Sequence, residues 1–194
     1  MRLGKLVYKL RKFDRVAVVG PQRSGTNVAT VILAEELGYQ AIRENNLSRY
    51  PSTFVELALF GSAKPVVVQA TSVTERCHLF PASVAVVYMM RNLDDIQASQ
   101  RRIKWSAEAK FRHFQSILMD RRGRECLKKR PGSLAELRYL CWKWQKKLLK
   151  NPYELEYASL EGHPLWVSKE ERKDFYMLQV MKEEDGNGRV QWNA

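Results

Sequence analysis

The sequence has few cysteines and no long apolar run. Its 194 residues include three cysteines, Cys77, Cys126 and Cys141, which lie far apart and form no C-x-x-C pair. Neither a structural zinc site nor a disulfide framework is therefore expected. No apolar run approaches the roughly 18 residues of a membrane span, and the first residues lack the apolar core and cleavage site of a signal peptide. We therefore expect a cytoplasmic protein without a transmembrane segment.

Acidic residues are in the minority. The chain has 33 lysines and arginines against 21 aspartates and glutamates, which gives a formal net charge of +12. Such a field attracts anions and suits a phosphorylated nucleotide or an acidic acceptor. It would equally suit nucleic acid or an anionic membrane surface, so charge alone does not choose among these partners. The apolar content of 45% is sufficient for one sizeable core, and we expect a single domain over residues 1–194.

The most informative segment is a strand-like run that leads through a glycine-bracketed loop into an apolar helix. The run covers residues 15–19, and Gly20 and Gly25 bracket the loop. Both glycines let the backbone bend and approach an anion, while the amides from Ser24 to Asn27 lie near a helix N-terminus whose dipole favours negative charge. Arg23 adds a positive charge inside the loop. The segment therefore predicts a phosphate-binding cradle.

A second segment, residues 84–102, predicts another buried strand followed by a short turn and a helix. Arg91 would stand at the carboxyl end of that strand, the edge where ligands bind in open α/β sheets. Ser99 would lie in the helix, which Asp94 or Asp95 could cap. A forked guanidinium and a hydroxyl are the groups that a dianionic phosphate needs, so Arg91 and Ser99 are candidate phosphate ligands.

The loop has the glycine spacing of the nucleotide-triphosphate motif G-x-x-x-x-G-K-[ST] but lacks its lysine, because Thr26 and Asn27 follow Gly25. The run Arg23-Ser-Gly-Thr instead resembles the 5′-phosphosulfate loop of the sulfotransferase family. The residues Arg91, Asn92, Asp95 and Ser99 are similar to that family's 3′-phosphate segment, R-N-P-x-D-x-x-x-S, with Leu93 in place of the proline. A third, weaker similarity covers Tyr157, Leu160 and Pro164, which match the family's late strand and turn.

The resemblance implies a P-loop-type three-layer α/β sandwich with a central, mainly parallel sheet. It implies transfer of a sulfuryl group from 3′-phosphoadenosine 5′-phosphosulfate (PAPS) to a hydroxyl or amine, with 3′,5′-ADP as product and no metal required. Arg23 and the loop amides would stabilise the charge that develops during transfer. The implied nucleotide-binding residues are Arg23, Ser24, Gly25, Thr26, Asn27, Arg91, Ser99 and Tyr157, the last near the adenine.

The base that takes the acceptor's proton is not settled by the sequence. Family members carry a Lys-Thr-His after the strand that corresponds to residues 65–70, whereas the direct match here is Gln69-Ala-Thr71. A shifted alignment makes His78 a candidate base. Glu44, which follows a predicted strand, and Glu56 are rivals. The chain also departs from many members at Val28, where they have a tryptophan near the adenine, so the base pocket must be built differently.

Two other functions stay open. One is a P-loop kinase or hydrolase, which should have a lysine near the terminal phosphates and a strand-end aspartate for magnesium. The other is a non-catalytic basic protein that binds nucleotide or nucleic acid, which should show exposed aromatics interleaved with basic residues. Neither pattern is found in the two segments described above.

The remaining patterns predict the order of elements. Alternation of strands and helices favours a parallel sheet covered on both faces. Residues 1–13 form a basic amphipathic segment that we expect to pack on its own domain, and residues 104–150 a helical lid or acceptor wall. The predicted strands are Val16–Val19, Tyr39–Ile42, Pro65–Ala70, Val84–Met89 and Glu154–Tyr157. The predicted helices are Asn27–Leu37, Thr53–Leu59, Asp95–Arg102, Ala107–Met119, Leu134–Leu149 and Lys169–Met181.

Overall fold

The structure is a computed structural model that describes residues 1–44, 55, 58–102 and 121–166. The chain divides into two compact units, Met1–Glu161 and Gly162–Ala194. In the second unit the described residues form a turn in which the Trp166 amide donates to the His163 carbonyl at 2.7 Å. The predicted helices Ala107–Met119 and Lys169–Met181 lie outside the described residues, as does the candidate base Glu56. The single domain stays a prediction.

The first unit is built on a five-stranded sheet in which every pairing is parallel. The strand order is β2-β3-β1-β4-β5. The strands are β1 Arg15–Val19, β2 Gln40–Ile42, β3 Val66–Gln69, β4 Val84–Met90 and β5 Pro152–Glu156. The predicted α/β fold with a central parallel sheet is therefore confirmed, and all five predicted strands are present. The last strand begins and ends slightly earlier than predicted.

The central strands are buried because they are apolar on both sides. Every residue of β3 is buried, as are Val16–Val19 of β1. Near-continuous runs of valine and alanine are typical of parallel strands covered on both faces. In register, Arg15 lies opposite Val66 of β3, and Val19 lies opposite Tyr88 of β4. The sheet therefore brings the carboxyl ends of β1 and β4 side by side.

The helices of the described ranges are five α-helices and two 3₁₀ helices, together with helical residues at Val55 and at 58–61, where the helix Thr53–Leu59 was predicted. The α-helices are α1 Leu3–Leu10, α2 Thr26–Leu37, α3 Leu93–Arg102, α4 Arg121–Leu127 and α5 Leu134–Gln145. The 3₁₀ helices are Thr71–Leu79, after β3, and Tyr157–Leu160, after β5. The 3₁₀ helix Thr71–Leu79 was not predicted, since a 3₁₀ helix does not show the 3.6-residue period. Helix α4 lies within the segment 104–150 that was predicted to be helical, but it was not predicted as a separate helix.

The start of α3 corrects the predicted cap. The helix begins at Leu93 rather than at Asp95, and the Asn92 Oδ1 accepts a hydrogen bond from the Asp94 amide at 2.8 Å. Asp94 and Asp95 lie in the first turn, where negative charge interacts favourably with the helix dipole. Asn92 is therefore the capping residue, in the role that the prediction gave to an aspartate.

One face of the sheet is covered by α1 and α2. Helix α2 packs against β1, β2 and β3, and α1 packs against α2 and β5. Leu6 and Leu10 of α1 are fully buried, and Phe13 is 8% exposed. The expectation that the basic amphipathic segment packs on its own domain is thus confirmed. Among the described residues, no helix is long and apolar enough to cross a membrane.

The opposite face is covered by α5. Trp142 is buried and stacks on Tyr88 of β4, with 4.3 Å between ring centroids. Its indole Nε1 donates to Glu154 at 2.8 Å, which ties the helix to β5. Within the segment predicted as a lid or acceptor wall, α5 is therefore a core helix. Residues 104–120 of that segment lie outside the described part of the chain.

A buried ion pair joins α5 to the 3₁₀ helix after β3. Arg138 Nε lies 2.5 Å from Glu75 Oε1, and the side chains are only 1% and 4% exposed. Beside it, the Gln145 side-chain amide donates to the carbonyls of Thr74 and Glu75 at 3.0 and 2.6 Å. A charge left alone in such surroundings is strongly unfavourable. The pair therefore makes the packing of α5 depend on this 3₁₀ helix.

We expect Arg138→Met to lower the free energy of unfolding by about 3 to 5 kcal/mol, because it leaves the Glu75 carboxylate buried without its partner. The matched control is Lys128→Met, which breaks the exposed pair of Lys128 with Glu125 and should cost less than about 1 kcal/mol. Urea denaturation of both variants measures the difference. A loss in Arg138→Met no larger than in the control would contradict the structural role of the buried pair.

Candidate functional site

Most of the predicted site residues stand just beyond the carboxyl ends of the strands. The loop 20–25 follows β1, Arg91 follows β4 and Tyr157 follows β5. After β1 the chain passes to β2 on one side of the sheet, whereas after β4 it passes to β5 on the other. Ligands bind in α/β sheets at such a divergence, in the crevice beyond the strand ends. The structure therefore gathers the two predicted phosphate-binding segments at one crevice.

The loop after β1 has an unusual backbone. Gly20, Arg23 and Gly25 have φ angles of 145°, 71° and 98°. Only glycine adopts such angles readily, so Arg23 is held in the left-handed region by its surroundings. The Gly20 amide donates to Thr74 Oγ1 at 3.1 Å, and a Gln100 side-chain amide donates to the Gln22 carbonyl at 3.1 Å. Contacts from both sides therefore fix the loop.

Ser24 lies at the centre of the loop and is fully buried. Its Oγ has no hydrogen-bond partner among the described residues. Its amide donates to the Pro21 carbonyl at 3.1 Å, so that amide is engaged within the loop. Buried hydroxyls are normally hydrogen-bonded, and an orphan one next to a helix start points to a bound group. Ser24 therefore brings a buried hydroxyl to the start of α2, while its amide is engaged within the loop.

Helix α2 begins immediately after Ser24 without a side-chain cap. Gly25 is the N-cap residue, and no side chain accepts a hydrogen bond from the first turn. The amides of Thr26 and Asn27 belong to that turn, where N–H groups have no acceptor within the helix. Such N–H groups, together with the helix dipole, are suited to bind an anion. These two predicted residues are thus placed as the sequence analysis expected.

Arg23 joins the loop to the second segment. Its Nε donates to Ser99 Oγ at 3.1 Å, and its carbonyl accepts from Arg91 Nη1 at 3.0 Å. Ser99, 4% exposed, also accepts from Arg102 Nη2 at 3.5 Å. Since Ser99 Oγ accepts two hydrogen bonds from guanidinium groups, its own proton is left for an acceptor. Arg23 and Arg102 therefore both donate to one hydroxyl, and Arg91 is linked to it only through the Arg23 carbonyl.

Tyr157 packs against both segments. A Cβ placed on Gly25 would lie 2.4 Å from Cδ2 of the Tyr157 ring. The ring therefore occupies the space that a side chain at position 25 would need. The guanidinium carbon of Arg91 lies 4.1 Å from the centroid of the same ring, a cation–π contact. Tyr157 therefore touches the loop and Arg91 together, and its place near an adenine stays a prediction.

A polar network extends from the loop to Glu44. Thr71 Oγ1 donates to Thr26 Oγ1 at 3.0 Å, and the Gln69 side-chain amide reaches Thr26 Oγ1 at 3.4 Å. Gln69 Oε1 in turn accepts from the Glu44 amide at 3.3 Å. The Glu44 carboxylate accepts from the Ser72 amide at 2.6 Å. This network places the candidate base Glu44 beside the start of α2.

The pKa of Glu44 is raised above the ordinary value of a glutamate side chain. Burial is the main cause, and hydrogen bonds from Ser72 together with the charge of Arg138 oppose it. A carboxylate whose pKa moves toward neutrality becomes a stronger proton acceptor, which is what a general base requires. The other candidate base, His78, packs edge-on against Trp144 of α5 with 5.0 Å between ring centroids. That contact joins His78 to α5.

The sequence analysis did not single out several residues that shape the site. Arg138 donates to the Gln22 side chain in the loop, and Tyr139 hydrogen-bonds to the backbone of Arg91. Both lie on α5, far from either motif in sequence, and no local pattern marks them. Thr74 supports Gly20 from the 3₁₀ helix after β3, which was itself not predicted. Gln69 and Thr71 had a usable signal, because they follow a buried strand.

We expect Gly25→Ala to destabilise the protein more than Gly38→Ala, by about 1 to 3 kcal/mol. Both glycines have a positive φ, but a Cβ at Gly38 would meet nothing within 4 Å, whereas one at Gly25 would strike the Tyr157 ring. The comparison isolates the clash from the backbone strain. Urea denaturation measures it, and equal losses would show that Tyr157 does not press on Gly25.

Glu44 and Glu154 should give opposite pH dependences of stability. The pKa of Glu154 is lowered, because hydrogen bonds from Lys146 and Trp142 outweigh the effect of burial, which would raise it. A raised pKa in the folded state stabilises the fold at low pH, and this contribution is lost as pH rises above 4.5 through the folded pKa of Glu44. A lowered pKa stabilises the fold above the unfolded pKa, and this is lost on acidification.

Between about pH 3 and about pH 7, the stability of Glu44→Gln relative to wild type should therefore rise as the pH passes above the ordinary glutamate pKa, whereas that of Glu154→Gln should fall as the pH rises toward it. Urea denaturation across this range is the measurement. The Gln side chain keeps an oxygen that accepts from the Ser72 amide, so the substitution changes mainly the charge. Parallel pH profiles for the two variants would contradict the opposite environments of the two carboxyls.

Comparisons with known proteins assign no family to this site. No protein-family model, no curated protein and no solved structure matches the chain. A function for the crevice therefore has to follow from its own residues and their geometry.

Proposed function

We propose that the protein is a PAPS-dependent sulfotransferase, which transfers a sulfuryl group to a hydroxyl or amine acceptor and leaves 3′,5′-ADP. The observation that carries the proposal is the link through Arg23. This residue hydrogen-bonds to Ser99 with its guanidinium and accepts from Arg91 with its carbonyl, at 3.1 and 3.0 Å. The loop 20–25 and the segment that contains Arg91 and Ser99 lie far apart in sequence, yet they form one basic site. A nucleotide with a phosphate group at its 5′ position and another at its 3′ position requires such a site.

The loop fits the 5′-phosphosulfate. The orphan Ser24 hydroxyl and the uncapped first turn of α2 supply donors for its oxygens. Arg23 supplies a positive charge at the same loop, without the lysine that a terminal triphosphate would call for. These groups would stabilise the negative charge that builds on the bridging oxygen as the bond to sulfur breaks.

The arginine cluster fits the 3′-phosphate. Arg23 and Arg102 both donate to Ser99 Oγ, and the Arg91 guanidinium is fixed at the same edge by Tyr157. Arg91 Nε lies 3.9 Å from Asp95 Oδ2, and one carboxylate against three arginines leaves the cluster with excess positive charge. A dianionic phosphate would balance that charge and accept a hydrogen bond from the Ser99 hydroxyl.

The acceptor molecule would bind on the side of the crevice where Glu44 lies. In the transfer, the acceptor's O–H or N–H bond breaks, its proton passes to a base, and the acceptor atom forms the new bond to sulfur. Glu44 suits the role of base because its pKa is raised and the Gln69 network connects it to the loop. The net charge of +12 favours an acidic acceptor. A cytoplasmic location belongs to the same proposal.

Calorimetric titration with 3′,5′-ADP tests the proposal, with 5′-AMP and magnesium ATP as comparison ligands. Arg91→Ala should weaken 3′,5′-ADP binding by about 10- to 100-fold, since charge-assisted hydrogen bonds to a phosphate are lost, and should leave 5′-AMP within about threefold. Arg2→Ala removes an exposed positive charge on the N-terminal segment and is the matched control. It should leave both affinities unchanged.

Three outcomes would overturn the proposal. Magnesium ATP binding more tightly than 3′,5′-ADP would favour a kinase or hydrolase. Equal affinity for 5′-AMP and 3′,5′-ADP would remove the 3′-phosphate site. If Arg91→Ala and Arg2→Ala weaken nucleotide binding equally, the net charge of the protein alone attracts the nucleotide.

A further inference from the structure

Arg91 has its main chain held by a side chain from a distant helix. It lies one residue beyond the end of β4, where its amide and carbonyl no longer belong to the sheet ladder. The Tyr139 hydroxyl accepts from the Arg91 amide at 2.8 Å and donates to the Arg91 carbonyl at 2.6 Å. A single phenol therefore satisfies both backbone groups of this residue.

Tyr139 itself is firmly placed. Its ring packs against Tyr88 of β4 with 5.9 Å between centroids, on the core face of α5. Burial raises the pKa of the Tyr139 phenol, although the hydrogen bond to Arg91 and the Arg91 charge act in the opposite direction. The hydroxyl therefore keeps its proton at neutral pH and can donate and accept at once.

The residue next to Tyr139 holds the other half of the site. Arg138 donates to the Gln22 side chain in the loop after β1 and pairs with the buried Glu75. Two consecutive side chains of α5 thus hold the two segments: Arg138 holds the loop, and Tyr139 holds Arg91. Arg23 connects the same two segments directly. Arg138 and Tyr139 therefore set, from α5, the spacing between the two proposed anion-binding segments.

We propose that Tyr139 is a positioning residue for Arg91. Its hydroxyl fixes the Arg91 backbone where the strand ends, and thereby directs the guanidinium toward the 3′-phosphate of the nucleotide. The proposal rests on the proposed function. Tyr139 itself touches Arg91 rather than the ligand, so its effect on binding passes entirely through Arg91.

Tyr139→Phe is the test, because it removes the hydroxyl and keeps the ring that packs against Tyr88. We expect it to weaken 3′,5′-ADP binding by about five- to tenfold and to leave 5′-AMP within about twofold. Tyr153→Phe is the matched control, since Tyr153 is a half-buried tyrosine of β5 whose ring packs against Phe13. It should change neither affinity.

A double-mutant cycle separates positioning from a general structural effect. In the Arg91→Ala background, Tyr139→Phe should cause no further loss of 3′,5′-ADP affinity, since the group that it positions is gone. Losses that multiply in the double variant, or equal losses for 3′,5′-ADP and 5′-AMP, would overturn the proposal by showing that Tyr139 acts on the whole site.

Amide hydrogen exchange tests the positioning of Arg91 by Tyr139 without any ligand. In Tyr139→Phe the Arg91 amide should exchange about tenfold faster, while the amides of Val86 and Val87 within β4 keep their wild-type rates. An unchanged Arg91 rate would overturn the placement of Arg91 by Tyr139 even where nucleotide binding is intact. Absence of 3′,5′-ADP binding in wild type would instead overturn the proposed function, and with it the role of Tyr139 toward a 3′-phosphate.

Discussion

The parallel pairing of β1 with β3 on one side and β4 on the other is the constraint on which the rest of the structure depends. Parallel strands end at a common edge, so whatever follows each strand in sequence meets there in space. The loop 20–25, Thr71, Arg91 and Tyr157 all follow strand ends, and Glu44 lies two residues beyond β2. Segments separated by more than a hundred residues in the chain thereby build one crevice.

Charge gives that crevice its chemical character. Arg23 and Arg102 donate to the same Ser99 oxygen, and Arg91 lies against the Arg23 carbonyl, so three positive groups share a small volume. Like charges at such separations repel unless a counter-charge is near. Cation–π contact with Tyr157 offsets part of that repulsion for Arg91. An anion at Ser99 would offset the remainder, which is the physical basis of the proposed nucleotide site.

The sheet and the loop were predictable because their signals are local. Valine-rich runs mark β1, β3 and β4, and glycines at 20 and 25 mark the turn between β1 and α2. The 3₁₀ helix Thr71–Leu79 was not predictable in this way, since it lacks the period of an α-helix and is held by contacts with α5 and the loop. The hydrogen bond from the Ser24 amide to the Pro21 carbonyl was not predictable either, because it depends on the backbone path of the loop.

The sequence by itself determined which chemical groups are present and roughly where each strand ends: the arginine of the loop, the arginine after β4 and the hydroxyl of Ser99. Only the tertiary structure decided how they combine. Arg23 reaches Ser99, Tyr157 closes on Gly25, and α5 holds the backbone of Arg91 and the side chain of Gln22. These contacts join residues far apart in sequence, and their geometry depends on helix packing across the sheet, which no local pattern of residues encodes.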